Sequence, residues 1–339
     1  MPGPEHFEVV ESAAPALGDG ILVELLALSA DPYMRGGLKE PLRDGKPRTM
    51  AGYVSGRVLE SAVSDWAAGD LFGASLPYAD VQAISAAQLK RVQIWKLTGL
   101  IEEADISHGI GAMGMPGATA YGGLIDVLRP NQGDTIWVSG AGGAVGSMVG
   151  MIAKNVYGCT VIGSAGGAEK CAHVCKEFGF DHCVDYRACE STGDLVRALR
   201  SVMGLGQGDL GLEKGIDMYF ENVGGMHFEA AMAMLKIGGR VAVCGTISNY
   251  NDAAPAAPGI NLGNMIYSGQ RIEGFVCTPW LSGAQGNFLE DMSGWIKEGW
   301  MKVEETYFEG AEAYGDGFQS LFTGGNYGKV VVTTRRAKM

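Results

Sequence analysis

Positive charge is scarce in this 339-residue chain: 26 lysines and arginines stand against 38 aspartates and glutamates, a formal net charge of −12. That balance repels phosphate backbones and argues against nucleic-acid binding. Long apolar runs are missing too. The longest near the start, Ile21 to Ala30, is interrupted by Glu24 and is too short to cross a bilayer, so no membrane helix is predicted. The opening residues carry Glu5 and Glu8 and lack a basic segment followed by an apolar one. Neither a secretory nor a transit signal is read there, and a cytoplasmic protein is expected. Cysteine is thin and odd in number, seven residues at 159, 171, 175, 183, 189, 244 and 277 with no Cys-x-x-Cys pair. A disulfide scaffold is excluded and reduced thiols are expected. Cys171 and Cys175 could present two ligands on one helical face, but nothing marks the rest of a metal site, so the cysteines are read as buried small hydrophobes. The five histidines, His6, His108, His173, His182 and His227, form no cluster in sequence and are expected at solvent-exposed or helix-surface positions.

What is abundant is glycine, 53 residues, roughly twice the usual share of about 7%. It falls between apolar runs, which suits tight turns and backbone pressed against a ligand. The length corresponds to about two domains, and 47% hydrophobic residues exclude a disordered chain.

The first third reads as mostly β, with short Val-, Leu- and Ile-rich runs at Ile21 to Leu28 and Tyr53 to Leu59. After Met113-Gly114-Met115-Pro116-Gly117, strand-sized runs alternate with amphipathic helical stretches. The strands are Thr135 to Ser139, Thr160 to Gly163, Cys183 to Asp185, Ile216 to Phe220, Arg240 to Cys244 and Arg271 to Cys277. Val145, Met148, Val149, Ile152, Ala153 and Val156 recur at helical spacing, predicting a helix over Gly146 to Val156. Ala168 to Phe178, Ser191 to Met203 and Gly225 to Leu235 read likewise. Strand and helix in alternation specify an α/β class with a doubly wound parallel sheet. The tail from Met301 returns to short strands, notably Lys329 to Thr333, expected to rejoin the first domain; Ala253 to Pro258 reads as a loop.

Gly140-Ala141-Gly142-Gly143-Ala144-Val145-Gly146 follows the strand Trp137-Val138-Ser139 and opens a helix. Such a turn leaves backbone N–H groups and the positive end of the helix dipole facing any diphosphate placed there. The strict G-x-G-x-x-G spacing is not met, because Val145 holds the third glycine's place, so a purely structural turn competes with dinucleotide binding. The second strand ends Ile162-Gly163-Ser164-Ala165-Gly166 with no carboxylate for the adenosine ribose. Room for a 2′-phosphate, and Lys170 a few residues on to pair with it, favour NADPH over NADH, although Glu169 lies beside the lysine.

Five segments carry a wider resemblance: Leu28 to Gly36, Gly114 to Tyr121, Tyr219 to Gly225, Cys244 to Asn251 and Gly325 to Lys329. In them the chain resembles the zinc-independent medium-chain dehydrogenase/reductases of the prostaglandin reductase, leukotriene B4 12-hydroxydehydrogenase and alkenal double-bond reductase type, with bacterial curcumin reductase similar too. The resemblance implies a Rossmann domain (111–299) and a GroES-like, mostly β catalytic domain built from both chain ends (1–110 completed by 300–339). It also implies a cleft where NADPH meets the substrate. By motif, Gly143, Ala144, Val145 and Gly146 would touch the diphosphate, and Lys170 and Tyr186 the adenosine end. Asn222, Cys244, Gly245, Thr246, Ile247, Ser248, Tyr250, Phe275, Val276, Cys277 and Asn326 would serve the ribose and nicotinamide side. Relatives also imply a homodimer. Family members usually open with one more strand before the Pro4-Glu5-His6-Phe7 region, so part of the first sheet edge is expected to be missing or supplied differently. No metal is expected, since Asp31-Pro32-Tyr33 and Ala51-Gly52-Tyr53 stand where zinc members carry Cys and His ligands.

The chain has no Tyr-x-x-x-Lys pair to protonate a carbonyl oxygen, so reduction of a conjugated C=C bond is the expected chemistry. Hydride at the β-carbon of an enal or enone moves charge onto the carbonyl oxygen, which a phenol or ribose hydroxyl can hold. Tyr250, just beyond a strand's carboxyl end, is the expected catalytic residue, against the alternative that its hydroxyl only orders its loop. Tyr33 and Tyr53 are weaker pocket-lining candidates. Quinone reduction, or a non-catalytic protein that keeps the fold, are the alternatives.

Overall fold

The structure is a computed structural model that describes residues 2–39, 47–206, 209, 213–252, 259 and 262–334; the loop expected at Ala253 to Pro258 lies outside them. The chain divides into two compact units, Met1–Ala118 with Thr278–Gly294 and Val303–Met339, and Thr119–Cys277 with Trp295–Lys302.

The first unit is a sheet of short strands, β1 (Ile21–Ser29), β2 (Ala51–Ser61), β3 (Leu71–Pro77), β4 (Val81–Ile84) and β5 (Ile94–Lys96). β1 is buried along nearly its whole length, as its almost continuous apolar run requires. Its one charge, Glu24, is 3% exposed and accepts from Arg57 Nε at 2.9 Å. β1 pairs antiparallel with β2 and β4, and β3 joins β2 to β5.

The second unit carries β6 (Thr135–Ser139), β7 (Thr160–Ala165), β8 (His182–Asp185), β9 (Ile216–Glu221), β10 (Leu235–Val243) and β11 (Arg271–Gly274). All pairs are parallel and the order is β11-β10-β9-β6-β7-β8. Counted from β6, this is the 3-2-1-4-5-6 order of a dinucleotide-binding sheet, with its switch point between β6 and β9. The helices Ala144–Asn155, Ala168–Phe178, Thr192–Val202 and Met226–Met234 fall where the apolar periodicity predicts, with ends shifted by at most two residues. Ser191 is the N-cap of the third, its hydroxyl accepting from Asp194 N at 3.2 Å. Two strand ends differ from expectation by three residues or more. β10 starts at Leu235 rather than Arg240, and β11 stops at Gly274, so Phe275, Val276 and Cys277 follow the strand instead of belonging to it.

The tail supplies β12 (Glu305–Phe308) and β13 (Lys329–Thr333) to the first sheet, with β13 antiparallel to β1 and parallel to β12. Lys329 fastens this return: its ammonium, 3% exposed, donates to Ala30 O at 2.8 Å and to Asp31 Oδ1 at 3.1 Å.

Candidate active site

At the carboxyl end of β6 the chain turns through Gly140, which has φ +61, and Gly143 then caps the helix Ala144–Asn155. The N–H groups of Ala144, Val145 and Gly146 belong to its first turn, where no carbonyl lies a turn earlier to receive them. Of these glycines, Gly146 meets fixed backbone and Gly142 meets only the flexible end of a side chain. A Cβ on Gly146 would lie 2.4 Å from Gly140 O, and one on Gly142 would lie 2.7 Å from Lys170 Cε. The lysine stem thus lies directly over the glycine turn.

The adenosine-side candidates gather at the end of β7. A Cβ on Gly166 would meet Arg187 Nε at 2.8 Å and Tyr186 Oη at 2.9 Å. Burial, and then the nearby Arg187 guanidinium, push the Lys170 ammonium below its ordinary value. Two cations held this close favour an anion between or beside them. A carboxylate does reach this turn, but from the third strand: Asp185 Oδ1 accepts from Gly167 N at 2.8 Å and Arg187 N at 3.0 Å, so that oxygen braces backbone. The glycine turn, helix N-terminus and paired cations together fit a dinucleotide that carries an additional phosphate.

On the other side of the switch point, Asn222 is held to β6. Its N–H donates to Ser139 Oγ at 2.9 Å and its side-chain amide to Ser139 O at 2.7 Å. The segment after β10 hangs on the same turn. Cys244 N and Gly245 N donate to Glu221 O at 3.0 and 3.1 Å, Ile247 N to Asn222 O at 3.1 Å, and Ser248 N to Val223 O at 3.0 Å. Thr246 N reaches Tyr250 Oη at 3.4 Å, folding the half-buried phenol over its own loop and within 3.1 Å of a Cβ on Gly245. In that contact the hydroxyl accepts, so its own proton stays available for donation. Burial pushes the Tyr250 hydroxyl up, and pushes the Cys244 thiol up to about 12. Phe275 is half-buried with its ring edge-on to Phe220 at 6.1 Å, and a Cβ on Gly123 would lie 2.4 Å from its tip. Val276 is exposed and Cys277 half-buried.

The remaining candidates lie in the first unit. Tyr33 is exposed. Tyr53 is half-buried, with its ring 6.2 Å from Trp95 and its hydroxyl 3.5 Å from Gln93 Oε1. Asn326 is buried and donates to Gly328 O at 3.2 Å. Asp31 is already engaged, since Ser29 Oγ donates to Oδ2 while Lys329 pairs with Oδ1. Among the described residues no three of His, Cys, Asp and Glu are grouped to hold a metal ion. The donors present do not fit a zinc centre.

Two expectations about individual residues need correction, and two site residues had no expectation at all. His227 is not a surface histidine: it is 2% exposed, stacked 5.9 Å from Trp137 and edge-on to Tyr186 at 5.0 Å, and burial pulls its imidazole down to about 4. Only Cys159 and Cys171 of the seven free thiols are buried; the other five are half-buried. Arg187 and Glu221 escaped the sequence reading. Arg187 directly follows Tyr186 and was legible as a cation near the second strand's end only if β7 and β8 pair. Glu221 ends β9 beside Asn222 and is wholly buried.

Comparison with known proteins shows what the whole chain is similar to. Residues 144–292 match the family described as zinc-binding dehydrogenase, and residues 1–92 the one described as N-terminal domain of oxidoreductase. The chain is 36% identical to prostaglandin reductase 1 of Rattus norvegicus over 98% of this chain and 95% of that protein. It is 34% identical to the NADPH-dependent curcumin reductase of Escherichia coli K12, over 98% and 92%. Among solved structures, CurA of Vibrio vulnificus in complex with NADPH superposes with a TM-score of 0.78 at 33% identity, covering 97% of this chain and 94% of that one.

Proposed function

This chain belongs to the medium-chain dehydrogenase/reductase family, in its zinc-independent prostaglandin reductase branch, and from that premise we propose that it uses NADPH to reduce the carbon–carbon double bond of α,β-unsaturated aldehydes and ketones. When bound, the coenzyme supplies the hydride that adds to the β-carbon. The chain's own residues do the rest. The amides of Ala144, Val145 and Gly146 hold the diphosphate. Lys170 and Arg187 hold the 2′-phosphate, with Tyr186 beside them. Asn222, Cys244 to Ser248, Phe275 to Cys277 and Asn326 serve the ribose and nicotinamide side. Tyr33 and Tyr53 line the substrate side.

The observation that carries the chemistry is Tyr250. Its hydroxyl lies at the carboxyl edge of the sheet, accepts from Thr246 N and still has a proton to give. That proton suits the carbonyl oxygen on which negative charge grows. Burial raises the phenol, which favours a donor that keeps its proton, with water delivering the final proton to the α-carbon. Residues 1–110 with 300–339 form the catalytic domain and 111–299 the coenzyme domain. The stretch Thr278–Gly294, which packs with the first compact unit, is where that division and the packing differ.

The partner is a small enal or enone. A homodimer is favoured by exposed apolar side chains on either side of β11, the end strand of the described sheet: Ile266 and Tyr267 before it and Val276 after it are 77%, 86% and 69% exposed. No helix among the described residues is long and apolar enough to cross a membrane, and free thiols suit the cytoplasm. Purified protein mixed with NADPH and a 2-alkenal should lose reduced-nicotinamide absorbance and yield the saturated aldehyde. Absence of oxidation with every enal and enone tried, or turnover confined to simple quinones, refutes the reading.

A further inference from the structure

Glu221 is 0% exposed at the carboxyl end of β9, and its Oε1 gathers four donors from three places. Ser139 Oγ donates from the end of β6 at 3.1 Å and Tyr219 Oη from within β9 at 2.9 Å. The backbone N–H groups of Val223 and Gly224 donate at 2.6 and 2.9 Å. Oε2 is buried with no partner. A carboxyl group is costly to bury, and one oxygen that collects four donors concentrates the compensation in a single place. That place is the turn from which the site is hung. The two amides belong to residues 223 and 224, at the turn where Gly224 and Gly225 have φ of +82 and +55. Ser139, the hydroxyl that accepts Asn222 N–H, is oriented by the same oxygen. The Glu221 and Asn222 carbonyls receive Cys244, Gly245 and Ile247, and the Val223 carbonyl receives Ser248.

We propose that Glu221 is the positioning residue of the nicotinamide side: its Oε1 sets the Asn222–Gly225 turn, and through that turn it places the Asn222 side chain and the Cys244–Tyr250 loop. It acts on the reaction only through these groups. The proposal rests on the NADPH reading above, and it makes a distinction within the coenzyme. Tyr186 and Arg187 face Gly166 and Lys170 lies over Gly142, and the Glu221 carboxyl takes its hydrogen bonds from Ser139, Tyr219, Val223 and Gly224 instead. The adenosine half should therefore be indifferent to Glu221, while the nicotinamide half depends on it.

The test compares wild type with Glu221→Gln, which keeps an acceptor oxygen, and Glu221→Met, which removes it at similar volume. Affinity is measured for NADPH and for adenosine 2′,5′-bisphosphate, and amide hydrogen exchange is followed across residues 135–139 and 216–250. For Glu221→Met the expected result is a tenfold or larger loss of NADPH affinity, adenosine 2′,5′-bisphosphate binding within twofold, and faster exchange in 222–250 with β6 unchanged. Glu221→Gln should recover NADPH affinity to within about threefold of wild type. If Glu221→Met does not fold, Glu221→Asp, which draws the oxygen back by one methylene, is measured in its place with the same expectation. Equal loss of both ligands, or exchange in 222–250 that matches wild type, overturns the proposal. Wild type that binds neither nucleotide refutes the coenzyme reading instead, and the exchange measurement still decides whether Glu221 orders the two loops.

Discussion

The buried imidazole of His227 makes acid stability a direct test of the packing around it. Burial lowers its pKa from 6.5 to about 4, with no hydrogen-bond partner at Nε2, and the ring is enclosed by Trp137 and Tyr186. A histidine whose folded pKa is depressed binds protons more readily in the unfolded chain. Stability therefore falls as pH drops through the unfolded value of 6.5 and levels off below about 4. Linkage between those two values gives a loss of about 2.5 kcal/mol between pH 7.5 and 4.5, against almost none between pH 8.5 and 7.5. Depressed carboxylates such as Asp181 also weaken the fold in acid, so wild type is compared with His227→Phe, which keeps an aromatic ring and cannot titrate. Urea denaturation followed by tryptophan fluorescence should give similar midpoints at pH 7.5, with the variant more stable by about 2–3 kcal/mol at pH 4.5. A gap that does not change with pH would mean that the imidazole is solvated, and the burial argument would be wrong.

Three further predictions concern the site and its frame. Lys170→Ala and Arg187→Ala should each lower kcat/KM for NADPH by about tenfold while leaving the value for NADH nearly unchanged, as loss of one charge-assisted contact to a phosphate requires; steady-state kinetics with both coenzymes checks this, and parallel losses would remove the 2′-phosphate assignment. Tyr250→Phe should reduce kcat with an enal by about 10²-fold with NADPH affinity retained, the cost of one donor to a developing oxyanion; an unchanged kcat would leave the hydroxyl with only a loop-ordering role. Lys329→Met should destabilise the protein by about 3–5 kcal/mol, since Asp31 is left charged and buried without its partner. Lys329→Met with Asp31→Leu should recover part of that loss in thermal unfolding.

Much of the second unit was legible from local pattern. Helix Ala144–Asn155 follows from Val145, Met148, Val149 and Ile152 at helical spacing, and its start follows from glycines that a side chain would replace only by colliding with Gly140 O. The apolar character of Phe275 to Cys277 fits a strand, yet a strand's end is decided by its neighbour, and β10 pairs with β11 only through Gly274. A lone histidine on a helix carries no mark of what covers it, and the ring stacked on His227 belongs to Trp137, 90 positions earlier.

Periodicity determined the alternating strands and helices, while the glycine turn, the missing carboxylate after the second strand and Lys170 pointed to a dinucleotide and to its class, because each of these depends on residues close together in the chain. Tertiary structure decided the rest. Asn222 is held by Ser139 across 83 positions, and Lys329 reaches Asp31 across 298. A carboxylate's partners and an imidazole's burial are properties of segments brought together by folding, and no local spacing encodes which segments those are.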